Sequence, residues 1–203
     1  MALPRPSRSA DLPRWPGLGR RLGISCLLLL PLLTACLPNA TTYYRPSAER
    51  GRVIKNRCVP TESNIEFPVG PLNVGAYAVE GQRDVIATLT LPTQPAPNAT
   101  GQPAWRSLRF SSGDFVIRDL DRNTVHKALR VRAFRDDKSD SLTAPYHANP
   151  GRSYFWVDVY VPNPAPKNFE LSSPPLVIDG QEWPIPVLRF ERKTWAGISP
   201  FNC

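Results

Sequence analysis

Histidine is nearly missing from this 203-residue chain: His126 and His147 are the only two. Near-neutral acid–base chemistry therefore has few candidate groups. There is no H-E-x-x-H, no C-x-x-C, no G-x-S-x-G elbow and no phosphate-cradling glycine loop, so none of the chemistries tied to those motifs is signalled. No stretch shows capped apolar residues at a 3.6-residue period, and no apolar run reaches the ~20 residues that a membrane-spanning helix needs. His126 falls in a strand-like run with Arg130 and Arg132 on the same face and reads as a surface histidine. His147 lies in the loop Thr143–Gly151, where function tends to concentrate. A Ser/His/Asp arrangement needs only to meet in space, but no particular set of residues recommends itself.

What is present is concentrated at the start. Arg20-Arg21 precede an apolar run from Leu22 to Leu33, which leads into Leu33-Thr34-Ala35-Cys36 and then a polar Pro/Asn/Thr tract. A positive flank, an apolar core of about a dozen residues and a small-residue exit make a secretory signal. The closing Leu-Thr-Ala-Cys resembles the lipobox of bacterial lipoproteins. The resemblance covers the first 36 residues. It implies removal of residues 1–35, a diacylglycerol on the Cys36 sulfur and acylation of its new amino group. Leu37 stands where enteric inner-membrane lipoproteins carry Asp, so the resemblance implies anchoring in the outer membrane facing the periplasm, or on the outer face of the plasma membrane in a Gram-positive host.

Removing the leader changes the electrostatics. The whole chain has 25 basic and 17 acidic residues, and five arginines and one aspartate leave with residues 1–35, so the mature part carries 20 against 16, a formal +4. That balance is mild and does not suggest a nucleic-acid partner. Cys26 leaves with the leader and Cys36 is acylated, so Cys58 and Cys203 remain. In an exported chain two leftover cysteines are expected to pair, the alternatives being a free thiol or a bond to another chain.

Residues 36–50 lack apolar periodicity and read as a flexible tether; residues 51–203 read as one domain. Asp84–Leu91, Thr124–Phe134 and Ser153–Val161 alternate apolar and polar residues at period two, the signature of strands. Asp179-Gly180 between Leu176-Val177-Ile178 and Gln181-Glu182-Trp183 predicts a two-residue hairpin. Weaker strands are expected at Val53–Val59, Leu72–Val79, Trp105–Phe110, Asp114–Leu120 and Val187–Arg192. Proline clusters fill the breaks. The fold expected is all-β, an antiparallel sandwich of immunoglobulin-like type.

Two surface features are candidates for binding. Arg130 and Arg132 with their strand neighbours would meet an anionic partner if they share an exposed face, and Tyr154, Trp156 and Tyr160 would form an aromatic contact face. Asp136–Ser141 lacks the calcium-loop order, so neither a metal nor a cofactor is expected. The reading is a lipid-anchored cell-envelope lipoprotein that acts as a binding or structural module toward another envelope protein or a glycan. The alternative is an envelope hydrolase acting on glycan or lipid, with His147 as its catalyst.

Overall fold

A computed structural model describes residues 38–56, 60–81, 84–92, 105–134, 141–147, 154–161 and 164–198. They form fifteen strands in three antiparallel sheets. The large sheet has six strands in the order β2 (Arg52–Ile54), β3 (Asn64–Val69), β4 (Leu72–Glu80), β5 (Val85–Pro92), β11 (Tyr154–Val161) and β9 (Arg130–Phe134). Against it lies a five-stranded sheet ordered β1 (Pro38–Ser47), β15 (Leu188–Ile198), β12 (Asn168–Ser172), β7 (Val116–Asp119) and β8 (Thr124–Lys127). A third sheet joins β10 (Tyr146–His147), β6 (Ser107–Phe110), β13 (Leu176–Ile178) and β14 (Gln181–Trp183). The expected all-β antiparallel architecture is present. Its sheets have six, five and four strands, and a simple meander β2-β3-β4-β5 builds most of the largest; the immunoglobulin plan has two sheets joined by Greek-key connections.

The alternating runs bury one face each. In β5, Val85, Ala87, Leu89 and Leu91 are fully buried, and in β11 Phe155, Val157, Val159 and Val161 take the same side. Phe169 and Phe190 stack at 4.9 Å across β12 and β15 and meet this layer from the other sheet. Trp105, Leu108 and Phe110 extend the same core into the third sheet. Asp179 and Gly180, with φ of 50° and 87°, form the expected hairpin turn and place Ile178 opposite Gln181. The Asp179 carboxylate then accepts from the backbone N–H of Arg106 and Ser107 at 2.8–3.1 Å, tying the turn to β6. Gly70, at φ 56°, turns β3 into β4 and lies under the Trp183 ring, 2.6 Å from where a Cβ would sit. Any side chain there is excluded twice, by the backbone and by the ring.

Three expectations are corrected. The segment read as a tether is a strand from Pro38 to Ser47, paired residue for residue with Arg189–Ile198. Its apolar signal is weak because Tyr44 and Pro46 are the positions it buries, and its partner lies about 150 residues away. The run Thr124–Phe134 is two strands in different sheets. At Ala128 and Leu129 the backbone changes partners, from Phe115 O at 3.0 Å to Tyr160 O at 3.2 Å. Leu129 is 64% exposed, and His126 shares no face with Arg130 and Arg132. Finally, β2 covers only Arg52–Ile54 of the expected Val53–Val59, of which 57–59 are outside the described residues. Cys36, Cys58, Cys203 and most of Asp136–Ser141 also lie outside the described residues.

Candidate functional site

The inner face of the six-stranded sheet is apolar, so its chemistry is on the outer face. Pairing places residues there in rows. One row runs Arg132, Asp158, Thr88, Tyr77, Asn64, Ile54; the next runs Trp156, Thr90, Gly75, Glu66, Arg52. Neighbouring strands stand about 4.8 Å apart, so each row presents side chains at regular short intervals. The two candidate faces from the sequence are thus one face: Arg130 and Arg132 of β9 sit directly opposite Tyr160 and Asp158 of β11.

The aromatic members behave differently from one another. The Arg130 guanidinium lies 4.0 Å above the centre of the Tyr160 ring, a cation–π contact, and Tyr160 is buried. Tyr160 is therefore not an exposed platform, which corrects that part of the expectation. Tyr154 is placed as the backbone partner of Pro92. Trp156 is 40% exposed. It forms one wall of a groove of about 260 Å³, lined also by Ile54, Asn64, Glu66, Tyr77 and Thr90, with Gly75 on its floor. A Cβ on Gly75 would come within 2.2 Å of the Thr90 hydroxyl oxygen. A glycine inside an otherwise alternating strand is the sequence signal for such a close approach.

The groove has polar groups that the fold does not engage. Asn64, Tyr77 and Thr90 carry polar side chains that make no hydrogen bond among the described residues. Glu66 is held loosely by Arg52 at 3.5 Å, both side chains being open to solvent; such a pair contributes little. At the next position, the Thr88 hydroxyl donates to Asp158 at 2.7 Å, which fixes the floor beside the groove.

A second depression, of about 280 Å³, lies between Ile117, Val161, Pro164 and Pro166 and is rimmed by His126, Thr124, Asp119 and Arg122. Its polar groups are already engaged. Nε2 of His126 and the Thr124 hydroxyl are 2.8 Å apart. Asp119, 3% exposed, accepts from the N–H of Asp121 and Arg122 and from Nη1 of Arg122, at 2.9–3.1 Å. Both oxygens of that carboxylate are engaged in capping the β7–β8 turn. Asp121 accepts from the backbone of Lys167 and Asn168 and from the Asn168 amide, at 2.6–3.1 Å. The Asn168 amide, reinforced by those backbone donors, holds its carboxyl below the usual carboxylate range. Tyr44 is buried on Phe169 and donates to Pro166 O at 3.1 Å; burial, with Glu80 adding, pushes its hydroxyl pKa up. This corner is structural. His147 is placed as the backbone partner of Ser107 in β10. Among the described residues, no three His, Cys, Asp or Glu side chains gather as a metal site would require.

No family model, curated protein or solved structure matches the chain, so the reading of the site rests on its own geometry.

Proposed function

We propose that the protein is a lipid-anchored lipoprotein of the bacterial cell envelope whose outer sheet face binds a glycan. The observation that carries the ligand class is the groove at Trp156. An aromatic ring exposed beside a glycine floor, with an amide, a carboxylate and two hydroxyls around it, matches a pyranose: the ring offers an apolar C–H face for stacking and a rim of hydroxyls for hydrogen bonds. A protein partner would call for a standard interface of about 800 Å² per side with an apolar centre. The large apolar residues exposed on this face are Trp156 and Val79, too few for that. The volume is also below the ~300–1,000 Å³ of drug-sized ligand sites, which suits one sugar ring of a longer chain.

The envelope location rests on the leader and on Cys36, with the protein outer-membrane anchored and facing the periplasm, or on the plasma-membrane surface of a Gram-positive host. Mass analysis of membrane-extracted protein is expected to show loss of residues 1–35 and addition of lipid. Cys58 and Cys203 are proposed to form one intramolecular disulfide, recovered as a linked pair in non-reducing peptide maps. For the groove, the detergent-solubilised mature protein is titrated with chitotetraose, a β-linked N-acetylglucosamine oligomer. Tryptophan emission is expected to change saturably. A flat titration with chitotetraose and with glucose and mannose oligomers removes the glycan reading.

A further inference from the structure

β1 and β15 pair over ten residues, from Pro38 opposite Ile198 to Ser47 opposite Arg189. β12 pairs with β15 through Leu188–Glu191, and the Arg192 N–H still donates to Lys167 O at 2.7 Å, so beyond Arg192 the ribbon continues as a two-stranded arm. Along one side of the arm run Tyr43 and Thr41, paired with Lys193 and Trp195. The Trp195 ring leans over Gly197, 2.5 Å from where a Cβ would sit. It therefore points toward the Pro38 end of the arm.

That end has a fixed reach. Pro38 is two residues past Cys36, and an extended chain covers at most ~3.6 Å per residue. The first rung of the arm therefore lies within about 7 Å of the Cys36 backbone, a distance comparable to the depth of the head-group layer. Resting on the lipoprotein reading above, we infer that the β1/β15 arm is a membrane-contact element, with Trp195 seated among the lipid head groups beside the Cys36 anchor. An indole is suited to that layer because it joins an apolar body to one N–H donor. The contact is not electrostatic. The basic groups nearest the arm are already paired: Arg45 with Glu62 at 2.7 Å, Arg192 with Glu80 at 2.9 Å and Lys193 with Glu191 at 2.6 Å. The consequence is geometric: without a tether, the domain is held close to the bilayer and its glycan groove within a short radius of it.

The test uses mature lipidated protein in phosphatidylcholine vesicles whose acyl chains are brominated near the head group. Mass analysis of the same sample first reads the lipid on Cys36. Tryptophan emission is expected to be quenched, equally in neutral and in 20% phosphatidylglycerol vesicles. Trp195→Phe should abolish the bromine-dependent part while leaving the circular dichroism unchanged. A twelve-residue Gly/Ser insertion after Leu37 should abolish it with Trp195 intact. Lipid on Cys36 together with quenching that survives either change overturns the arm contact and leaves the anchor standing. Absence of lipid on Cys36 overturns both.

Discussion

At the β7–β8 corner, Asp119 and Asp121 together accept six hydrogen bonds from neighbouring backbone and side chains. On the outer face of the six-stranded sheet, Asn64, Tyr77 and Thr90 make none among the described residues. Each place is lined by polar groups around a depression of similar volume, about 280 and 260 Å³, so size does not distinguish them. What distinguishes them is whether the polar atoms are already engaged. At the corner the two carboxylates join the turn Leu120–Asn123 to β12 and are fully engaged in doing so. On the sheet face the side chains of Asn64, Tyr77 and Thr90 are left unengaged among the described residues, and the Trp156 ring lines the same groove. Polar groups that the fold uses report on stability, and those it leaves open report on binding.

The largest effect is expected at Asp119. Replacing it with alanine leaves two backbone N–H groups without their acceptor and the Arg122 guanidinium with Pro164 O but no carboxylate. Hydrogen bonds to a charged group contribute roughly 1.5–3 kcal/mol each in measured series and are not additive, so Asp119→Ala is expected to cost about 2–3 kcal/mol in denaturant unfolding. Chitotetraose binding by the folded fraction should be unchanged. If Asp119→Ala unfolds normally but abolishes binding, the assignment of the two places is reversed.

Asp121 comes next. It is exposed, so Asp121→Asn is expected to cost a smaller ~1 kcal/mol at neutral pH. The pH dependence is more telling than the size. The folded carboxyl titrates below its unfolded value, so its contribution is fully present above about pH 4 and fades as the pH falls through the folded value. Unfolding curves of wild type and Asp121→Asn should therefore converge in acid. A difference that stays constant from pH 7 to pH 3 would show that the carboxylate charge plays no part.

How much of this was readable in the chain follows from where each signal lives. β4, β5 and β11 were legible because apolar and polar residues alternate within a single strand, as in Val85, Ala87, Leu89 and Leu91. β1 and β12 were not, since each buries few side chains and takes its identity from distant partners; Tyr44 is buried by Phe169, far along the chain. Alternation also ran on undisturbed from Thr124 to Phe134, because a change of hydrogen-bond partner at Ala128 leaves no mark on residue polarity. Trp156 was visible as an outward aromatic. The groove beside it was not, because Asn64, Gly75, Thr90 and Trp156 meet only through the register of four strands.

Gly75 tests the open side of the comparison. Gly75→Ala places a methyl group against the Thr90 hydroxyl, which has to rotate away. Alanine also reduces the freedom of the unfolded chain and packs better in a strand, so the opposing effects should keep the stability change within about 1 kcal/mol. Binding should fall, because the methyl group fills the floor on which a sugar ring would rest. Retained chitotetraose affinity in a normally folded Gly75→Ala protein would move the site away from this groove.

The smallest effect on stability, and the one that decides the most, is expected at Trp156. Its ring is 40% exposed and lines the open groove, so Trp156→Ala removes little that the folded core needs. Its neighbour Val157 points the other way and is fully buried, which makes the pair an internal control on one strand. Truncating Val157 to alanine should lower the melting temperature clearly, with binding intact. Trp156→Ala should shift unfolding by no more than ~0.5 kcal/mol. Loss of a stacked ring is worth about 0.5–1.5 kcal/mol beyond its area, so with the contact area added affinity for chitotetraose should drop about tenfold or more. Trp156→Phe keeps a stacking face and should recover part of it. If Trp156→Ala instead destabilises as strongly as Val157→Ala, the ring is held by the fold and the outer face loses its claim to be a binding surface.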